Sequence, residues 1–370
     1  LNEIMQIFDE KYIIEDLVTY EGQYGDFIDP FTFAASNNPD VLTRSKMLKT
    51  DDKDDFRNSE VPEIRGLEEA DVFEFKPAKT KPSDVKLLGS IWSYRRKRRP
   101  DGTLLKHKSR ICVDGSQQRD GIDYFSDEIY SPVCQWSSVR LTLVLASLLG
   151  LKMRQIDYIQ AFPQAPIDTD VHLRVPVGWK YFPNEGRMNQ MDDPTYKDTS
   201  WYIKLKKNVY GTKQASANFY EHLCKGLVDQ GFTPSTTDPC LWLRHDCIIC
   251  QYVDDCVIFA HNDSVIDEFL KDMKTAGYLL KDEGNVEDFL GVHVEEIIES
   301  NGTKTFEMTQ TGLIAEILTD LGLDQDHVNL HNTPSNSILF PDLNETPFEE
   351  AWSVTVLIIF QMKFTVLFVN

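Results

Sequence analysis

The chain has 370 residues, of which 41% are hydrophobic, so it is long enough to form more than one packed unit. Its 38 basic and 59 acidic residues give a net charge of −21, which argues against a protein that binds nucleic acid over its whole surface. Seven cysteines at irregular spacing are typical of reduced thiols in an intracellular protein, and the early acidic residues argue against a signal peptide.

The charge is distributed unevenly along the chain. Residues 1–80 carry 9 basic and 19 acidic side chains, whereas residues 81–110 carry 10 basic and 2 acidic ones. A basic cluster on one segment indicates a phosphate-binding surface better than total charge does. We interpret residues 1–60, with the charge run at 51–55, as an acidic linker or tail, and residue 61 as the start of the folded domain.

The basic cluster falls within a predicted hairpin. Residues 91–94 and 104–113 are typical of strands, with a turn at 100–102 that carries the basic run 95–99. Because Lys106, Lys108 and Arg110 follow on the second strand, a phosphate-gripping loop is favoured over a nuclear-import signal.

The middle of the chain alternates helices with strands. Periodic apolar residues predict helices over 137–149, from 215 to about 230, and over 264–277. A short strand-like run that ends at Asp157 and a hairpin over 248–260 separate them. This order predicts an α+β unit, with an antiparallel sheet backed by helices.

Three carboxylates stand out in this unit. Asp254 and Asp255 lie at the tip of the predicted hairpin, and Asp157 ends a strand-like run between Ile156 and Tyr158. Each alone is compatible with a solvated surface acid. Together they have the oxygen ligands that Mg²⁺ prefers, and two-metal phosphoryl transfer requires carboxylates from separate segments. We ranked Asp255 below the other two, because neighbouring residues on a strand point to opposite faces.

From about residue 85 to 335, the sequence resembles the reverse transcriptase of copia-type long-terminal-repeat retrotransposons. The blocks that carry the resemblance occur in the family's order: Ile91-Trp92, Lys108-Ser109-Arg110, Gly121-Ile122-Asp123-Tyr124, Tyr130-Ser131-Pro132-Val133, Gln155-Ile156-Asp157 with Ala161-Phe162, Leu205-Lys206-Lys207, Tyr210-Gly211 with Lys213-Gln214-Ala215, Asp238-Pro239-Cys240, Tyr252-Val253-Asp254-Asp255 and Phe289-Leu290-Gly291. A lone Tyr-x-Asp-Asp is weak, but this many ordered blocks are specific.

The resemblance implies a right-hand polymerase with fingers (about 85–150), palm (about 151–300) and the start of a thumb (about 301–335), all within a domain spanning 61–335. Asp157, Asp254 and Asp255 would be catalytic and would hold two Mg²⁺ ions. The remaining implied roles are nucleotide binding for Lys97, Arg110, Phe162, Lys213 and Gln214, primer binding for Phe289, Leu290 and Gly291, and a candidate general acid in Lys281. Phe162 would exclude the ribose 2′-hydroxyl, although a core phenylalanine is an equal interpretation.

The implied partners are an RNA or DNA template-primer and deoxynucleoside triphosphates, with integrase and ribonuclease H regions in the parent polyprotein. The implied location is a cytoplasmic virus-like particle, with the nucleus as the alternative. The apolar segment 354–369 is shorter than the roughly 20 residues of a membrane span, so we expect no membrane partner and interpret 336–370 as a truncated or frame-shifted tail.

Several residues depart from the family's pattern, namely Asp114, Pro163, Ser216 and Asn218. These departures leave a second hypothesis open, that of a degenerate remnant that binds nucleic acid without extending a primer. A two-metal nuclease is disfavoured, because no dense cluster of further acids accompanies Asp157.

Overall fold

The computed structural model describes residues 39–98, 103–179, 199–298 and 304–310, together with 195, 197, 300, 312–314 and 364–365. Parts of four predicted segments lie outside the described residues. They are the acidic segment up to residue 38, the turn at 100–102, the start of the thumb beyond residue 314 and nearly all of the tail.

The described part of the chain combines strands with helices, as predicted for an α+β protein. The strands are β1 (Val41–Thr43), β2 (Phe73–Pro77), β3 (Leu87–Leu88), β4 (Ser90–Arg98), β5 (Leu104–Val113), β6 (Lys152–Tyr158), β7 (His172–Arg174), β8 (Trp201–Leu205), β9 (Thr233–Pro234), β10 (Leu241–Arg244), β11 (Cys247–Tyr252), β12 (Asp255–Ala260), β13 (Leu280–Gly284), β14 (Asp288–Phe289), β15 (Val292–Ile298), β16 (Lys304–Thr309) and β17 (Phe364–Thr365). The helices are α1 (Arg44–Met47), α2 (Lys53–Glu69), α3 (Trp136–Leu149), α4 (Ala161–Gln164), α5 (Ala215–Asp229) and α6 (Asp263–Thr275).

A central antiparallel sheet has the strand order β13-β6-β12-β11-β10-β9. The predicted hairpin over 248–260 is confirmed as β11 and β12, whose nearly all-apolar strands are buried on both faces of the sheet. Strand β6, which carries Asp157, pairs directly with β12. The sheet therefore brings the three candidate acids to one end of adjacent strands.

Helices cover one face of this sheet. Helix α5 buries Phe219, Leu223 and Leu227, which recur every fourth residue and so lie on one side of the helix. Helix α6 begins after Asn262, whose side chain accepts a hydrogen bond from the backbone N–H of Val265, and packs its apolar side on the same face. The opposite face is covered by α3 together with β15 and β16.

A second sheet, with the order β1-β4-β5, contains the predicted basic hairpin as β4 and β5. The basic run was predicted to lie in the turn. Instead, Arg95, Arg96, Lys97 and Arg98 lie on β4, because pairing with β5 continues to Leu104. These side chains therefore alternate between the two faces of the strand and do not form one flexible loop.

The predicted domain boundary at residue 60 is wrong. It falls inside helix α2, whose Phe56, Ile64 and Leu67 are buried against the β4–β5 sheet. Strand β1 also lies before the boundary and pairs with β4. An acidic composition predicted a linker here, but two acids of this segment pair with arginines of the hairpin, so the segment is folded.

The described residues also form two four-stranded sheets. One has the order β2-β8-β7-β3 and packs in the same core as α2, and the other has the order β14-β15-β16-β17. Among the helices of the described residues, none is both long and apolar enough to cross a bilayer.

Candidate active site

The tip of the β11–β12 hairpin is a two-residue turn formed by Val253 and Asp254 between the paired residues Tyr252 and Asp255. Val253 has a φ of +54°, a left-handed conformation that is unfavourable for a β-branched side chain. The carbonyl of Asp254 accepts a hydrogen bond of 2.9 Å from the N–H of Tyr158. The turn is therefore strained and anchored to β6 at once, a combination typical of functional sites.

Asp157 and Asp255 are direct partners in the ladder between β6 and β12. Directly opposed residues project from the same face, so both carboxylates lie on one side of the sheet, while Ile156 and Cys256 are buried on the other. Our reason for ranking Asp255 last was wrong. Asp254 belongs to the turn and not to the strand, so strand alternation does not separate the two adjacent acids.

The electrostatics of the three acids reflect their closeness. Burial and the negative charge of Asp254 raise the pKa of Asp157. The pKa of Asp255 is raised to about 6 by burial and by the charges of Asp254 and Asp157. Within the described part of the chain, no basic side chain forms an ion pair with any of the three. In this part of the chain no ion pair therefore relieves the repulsion among the acids.

The donor set of this site consists of carboxylate oxygens, which suit Mg²⁺. A preassembled group of three or more His, Cys, Asp or Glu side chains able to hold a metal is not present among the described residues. Magnesium usually takes only one or two protein carboxylates and completes its shell with water and substrate phosphates. The oxygen donors and the mutual repulsion of the acids therefore fit a Mg²⁺ ion that binds together with a substrate phosphate.

The outer face of the basic hairpin lies within electrostatic reach of these acids. Lys108 and Lys97 both oppose the upward shift of the Asp157 pKa, and Lys97 does the same for Asp255. Lys97 is exposed, and Lys108 and Arg110 are partly buried. The two predicted regions, the acids and the basic hairpin, therefore lie close enough to interact electrostatically.

Tyr210 connects these regions and was missed as a site residue from the sequence. The guanidinium of Arg110 lies over its ring, 4.5 Å from the centroid. Phe162 meets the same ring edge-to-face at 5.1 Å between centroids. Burial raises the pKa of Tyr210 to about 12, and the charges of Asp254 and Asp157 add to the shift. The block Tyr210-Gly211 was a usable signal, but only tertiary contacts assign its role.

Comparison with known proteins supplies the family. Residues 76–335 match the family described as reverse transcriptase (RNA-dependent DNA polymerase). The chain belongs to the reverse transcriptase family. The match covers more than half of the 370 residues and includes Asp157, Asp254 and Asp255.

The relatives of this chain are Pol polyproteins of transposons, as the copia-type resemblance predicts. The chain is 26% identical over 242 residues to the retrovirus-related Pol polyprotein from transposon TNT 1-94 of Nicotiana tabacum, covering 64% of the chain and 17% of the relative. It is 30% identical over 220 residues to that from transposon RE1 of Arabidopsis thaliana, covering 58% and 14%. For the transposon Ty1-DR4 Gag-Pol polyprotein of Saccharomyces cerevisiae the identity is 26% over 269 residues, covering 71% and 15%. The chain thus spans less than a fifth of these relatives.

Lys281 lies beside the candidate acids. It is the ladder partner of Asp157 on β13, so the two side chains share a face. Its ammonium group pairs with Glu283 at 2.7 Å, which raises the pKa of Lys281. A bulge between Asp282 and Gly284 sets the direction of Glu283, whose charge also raises the pKa of Asp157.

Two predicted nucleotide-binding residues, Lys213 and Gln214, contact the 118–124 loop. Gln214 is buried, and its amide bonds to Gln118, to the carbonyl of Asp123 and to Thr169. The ammonium of Lys213 donates to the hydroxyl of Tyr124 at 2.9 Å. Both side chains hold the 118–124 loop against the start of α5. The amide of Gln214 is thus engaged in the interior, and its role in nucleotide binding stays a prediction.

The predicted primer-binding turn is a two-residue hairpin turn. Leu290 and Gly291 have φ values of +53° and +77°, as a type I′ turn requires. Phe289 is buried in the core and meets Trp136 edge-to-face at 6.3 Å. The Phe289 side chain therefore anchors the turn in the core. Leu290 and Gly291 form the tip of the turn.

Proposed function

We propose that this chain is the polymerase domain of a retrotransposon Pol polyprotein and extends a primer by two-metal phosphoryl transfer. The primer 3′-hydroxyl attacks the α-phosphorus of a deoxynucleoside triphosphate, the bond to the bridging oxygen breaks, and pyrophosphate leaves. The observation that carries the proposal is the convergence of Asp157, Asp254 and Asp255 opposite the basic face of β4 and β5.

Asp157 and Asp254 would be the principal ligands of two magnesium ions, with Asp255 as a third. When bound, such ions activate the attacking hydroxyl and stabilise the leaving phosphate oxygens. Asp157 and Asp255 fit this role because they have oxygen donors, are partly buried and are repelled by neighbouring carboxylates.

The remaining side chains position the substrates in this proposal. Lys97 and Arg110 bind the triphosphate, and Tyr210 orients Arg110 from below. Phe162 excludes the 2′-hydroxyl of a ribonucleotide, since its ring is fixed against Tyr210. Lys281 donates a proton to the leaving pyrophosphate, and the Leu290–Gly291 turn contacts the primer. In a right-hand polymerase architecture, the β4–β5 sheet would be part of the fingers and the central sheet would be the palm.

The larger context is also a proposal. The relatives carry the names of Pol and Gag-Pol polyproteins. We infer that this domain functions beside integrase and ribonuclease H regions, on an RNA or DNA template-primer, in a cytoplasmic particle.

Primer extension on poly(rA)·oligo(dT) with Mg²⁺ tests the activity. We expect extension by the full chain and its loss in Asp254→Asn. The matched control is Glu268→Gln, which removes an exposed carboxylate on α6, the helix on the opposite face of the central sheet. Failure of the folded wild-type chain to extend the primer would favour the degenerate remnant that binds nucleic acid only.

Metal binding can be measured apart from activity. Ligands that bind the native state raise the melting temperature, so Mg²⁺ with a deoxynucleoside triphosphate should stabilise the wild-type chain. Asp157→Asn and Asp254→Asn should each reduce this stabilisation, whereas Glu268→Gln should retain it. Equal stabilisation of all four proteins would contradict the proposed metal ligands.

A further inference from the structure

The basic residues on the two faces of strand β4 differ in whether they form ion pairs with acids. Arg96 and Arg98 share a face with the buried Tyr94, and Arg95 and Lys97 lie on the opposite, outer face. The ladder with β5 places Lys108 opposite Arg95 and Lys106 opposite Lys97. The outer face therefore holds two cross-strand pairs of like charge.

Such pairs are unfavourable, since like charges directly opposite each other destabilise a sheet. Within the described residues, no acid forms an ion pair with Arg95, Lys97 or Lys106. An anionic ligand such as a nucleic-acid backbone would relieve this repulsion.

The inner face differs because acids of the upstream segment occupy it. Asp52 accepts two hydrogen bonds from Arg96, at 2.6 and 2.7 Å, and one contact of 2.8 Å from His107. Asp40 accepts two from Arg98, at 2.6 and 2.9 Å. Bidentate pairs of this kind are the strongest surface ion pairs. The Arg96 side chain holds the pKa of Asp52 far below its usual range, and that of Arg98 lowers the pKa of Asp40.

The backbone of the same segment is also fixed to the hairpin. Strand β1 pairs with β4 from Val41 to Thr43, and the N–H of Arg96 donates to the carbonyl of Asp40 at 3.0 Å. Residues 39–52 lie outside the residues that match the family, which begin at 76. The contacts are thus properties of this chain that the family comparison does not supply.

We propose that residues 39–52 form a clamp whose carboxylates Asp40 and Asp52 withdraw Arg98 and Arg96 from nucleic-acid binding. Phosphates of a single-stranded nucleic acid then bind only the outer face, which carries Arg95, Lys97, Lys106 and Lys108. The clamp rests on the proposed function in one respect, namely that nucleic acid is the ligand of the hairpin. It requires no polymerase activity.

The test is the salt dependence of binding between the full chain and labelled oligo(dT). Each phosphate contact made by a basic residue adds about 0.7 to the slope of log K against log salt for single strands. We expect Asp40→Asn and Asp52→Asn to steepen the slope by about this amount each and to bind more tightly at low salt. Arg98→Gln in the Asp40→Asn background should return the slope to the wild-type value.

The matched control is Asp246→Asn. It removes the same charge and releases Arg244, which pairs with Asp246 at 2.7 Å at the end of the central hairpin remote from Asp254. Its slope should equal that of the wild type. Thermal melting of each variant shows that it is folded, and Asp40→Asn is the milder change because Arg98 is exposed.

Unchanged slopes in folded Asp40→Asn and Asp52→Asn would overturn the clamp, as would an equal increase in Asp246→Asn. Absence of oligo(dT) binding by every protein would overturn both the clamp and the nucleic-acid ligand of the proposed function. A steeper slope in a chain that extends no primer would contradict the polymerase proposal alone and support the clamp.

Discussion

Asp157 faces Asp255 directly across the ladder between β6 and β12, and both carboxylates lie on the same side of the central sheet. The pairing is unfavourable for the fold, since each acid is partly buried and repels the other. Substitution of one of them should therefore stabilise the chain while impairing the proposed metal site, a trade-off expected for functional residues.

Asp255→Asn should raise the melting temperature at neutral pH in the absence of divalent cations. The pKa of Asp255, about 6 in the fold, lies above its ordinary value of 3.8, so the folded state binds the proton more tightly. The stability that protonation confers is complete below the unfolded pKa and is lost as the pH rises through about 6. After allowance for solvent screening, the gain at neutral pH is about 1–2 kcal/mol.

Melting curves across this pH range measure the effect. The difference between Asp255→Asn and the wild type should vanish below pH 3.8, where the carboxyl is protonated in both states. Glu268→Gln serves as the control and should show no such pH dependence. A variant that melts below the wild type at neutral pH would contradict the inferred repulsion.

Tyr210→Ala should weaken nucleotide binding more than Tyr210→Phe. The ring supports the Arg110 guanidinium at 4.5 Å, and a cation–π contact contributes about 0.5–2 kcal/mol. Loss of the ring should therefore raise the KM for the deoxynucleoside triphosphate by roughly 2- to 30-fold, with a smaller effect on kcat. Steady-state extension kinetics separate the two constants, and equal KM values for the two variants would assign the effect to the hydroxyl.

Gly211→Ala should destabilise the chain strongly. Gly211 has a φ of +92°, and a Cβ atom there would lie 2.2 Å from the carbonyl oxygen of Val113. Backbone strain and overpacking together cost about 2–5 kcal/mol. Gly121→Ala is the matched control, since Gly121 has a φ of +72° but no atom within 4 Å of the added Cβ. Urea unfolding should show a loss of only about 1–2 kcal/mol for the control, and equal losses would exclude the steric contact as the cause.

Val253→Gly should stabilise the hairpin turn and reduce primer extension. Glycine adopts the φ of +54° without the strain that valine incurs there, about 1–2 kcal/mol. A more flexible turn, however, holds the Asp254 carboxylate less rigidly beside Asp157. Thermal melting combined with extension assays tests both halves, and a less stable variant would show that Val253 contributes more by packing than it costs in strain.

The sequence alone determined the local elements of the site. Alternating and continuous apolar runs predicted the β11–β12 hairpin and placed Asp254 and Asp255 at its tip, since strand and turn signals depend on neighbouring residues. The ordered motifs determined the family, and fourfold spacing predicted the buried side of α5.

Only the tertiary structure decided which residues meet. The ladder register set Asp255 beside Asp157, and the path of β5 brought Arg110 onto Tyr210. Contacts with loops distant in sequence engage the buried amide of Gln214. Composition predicts a linker over residues 1–60, because composition records charge and not the partners of that charge. Asp40 and Asp52 fold onto Arg98 and Arg96 because pairing between β1 and β4 brings them within hydrogen-bond distance.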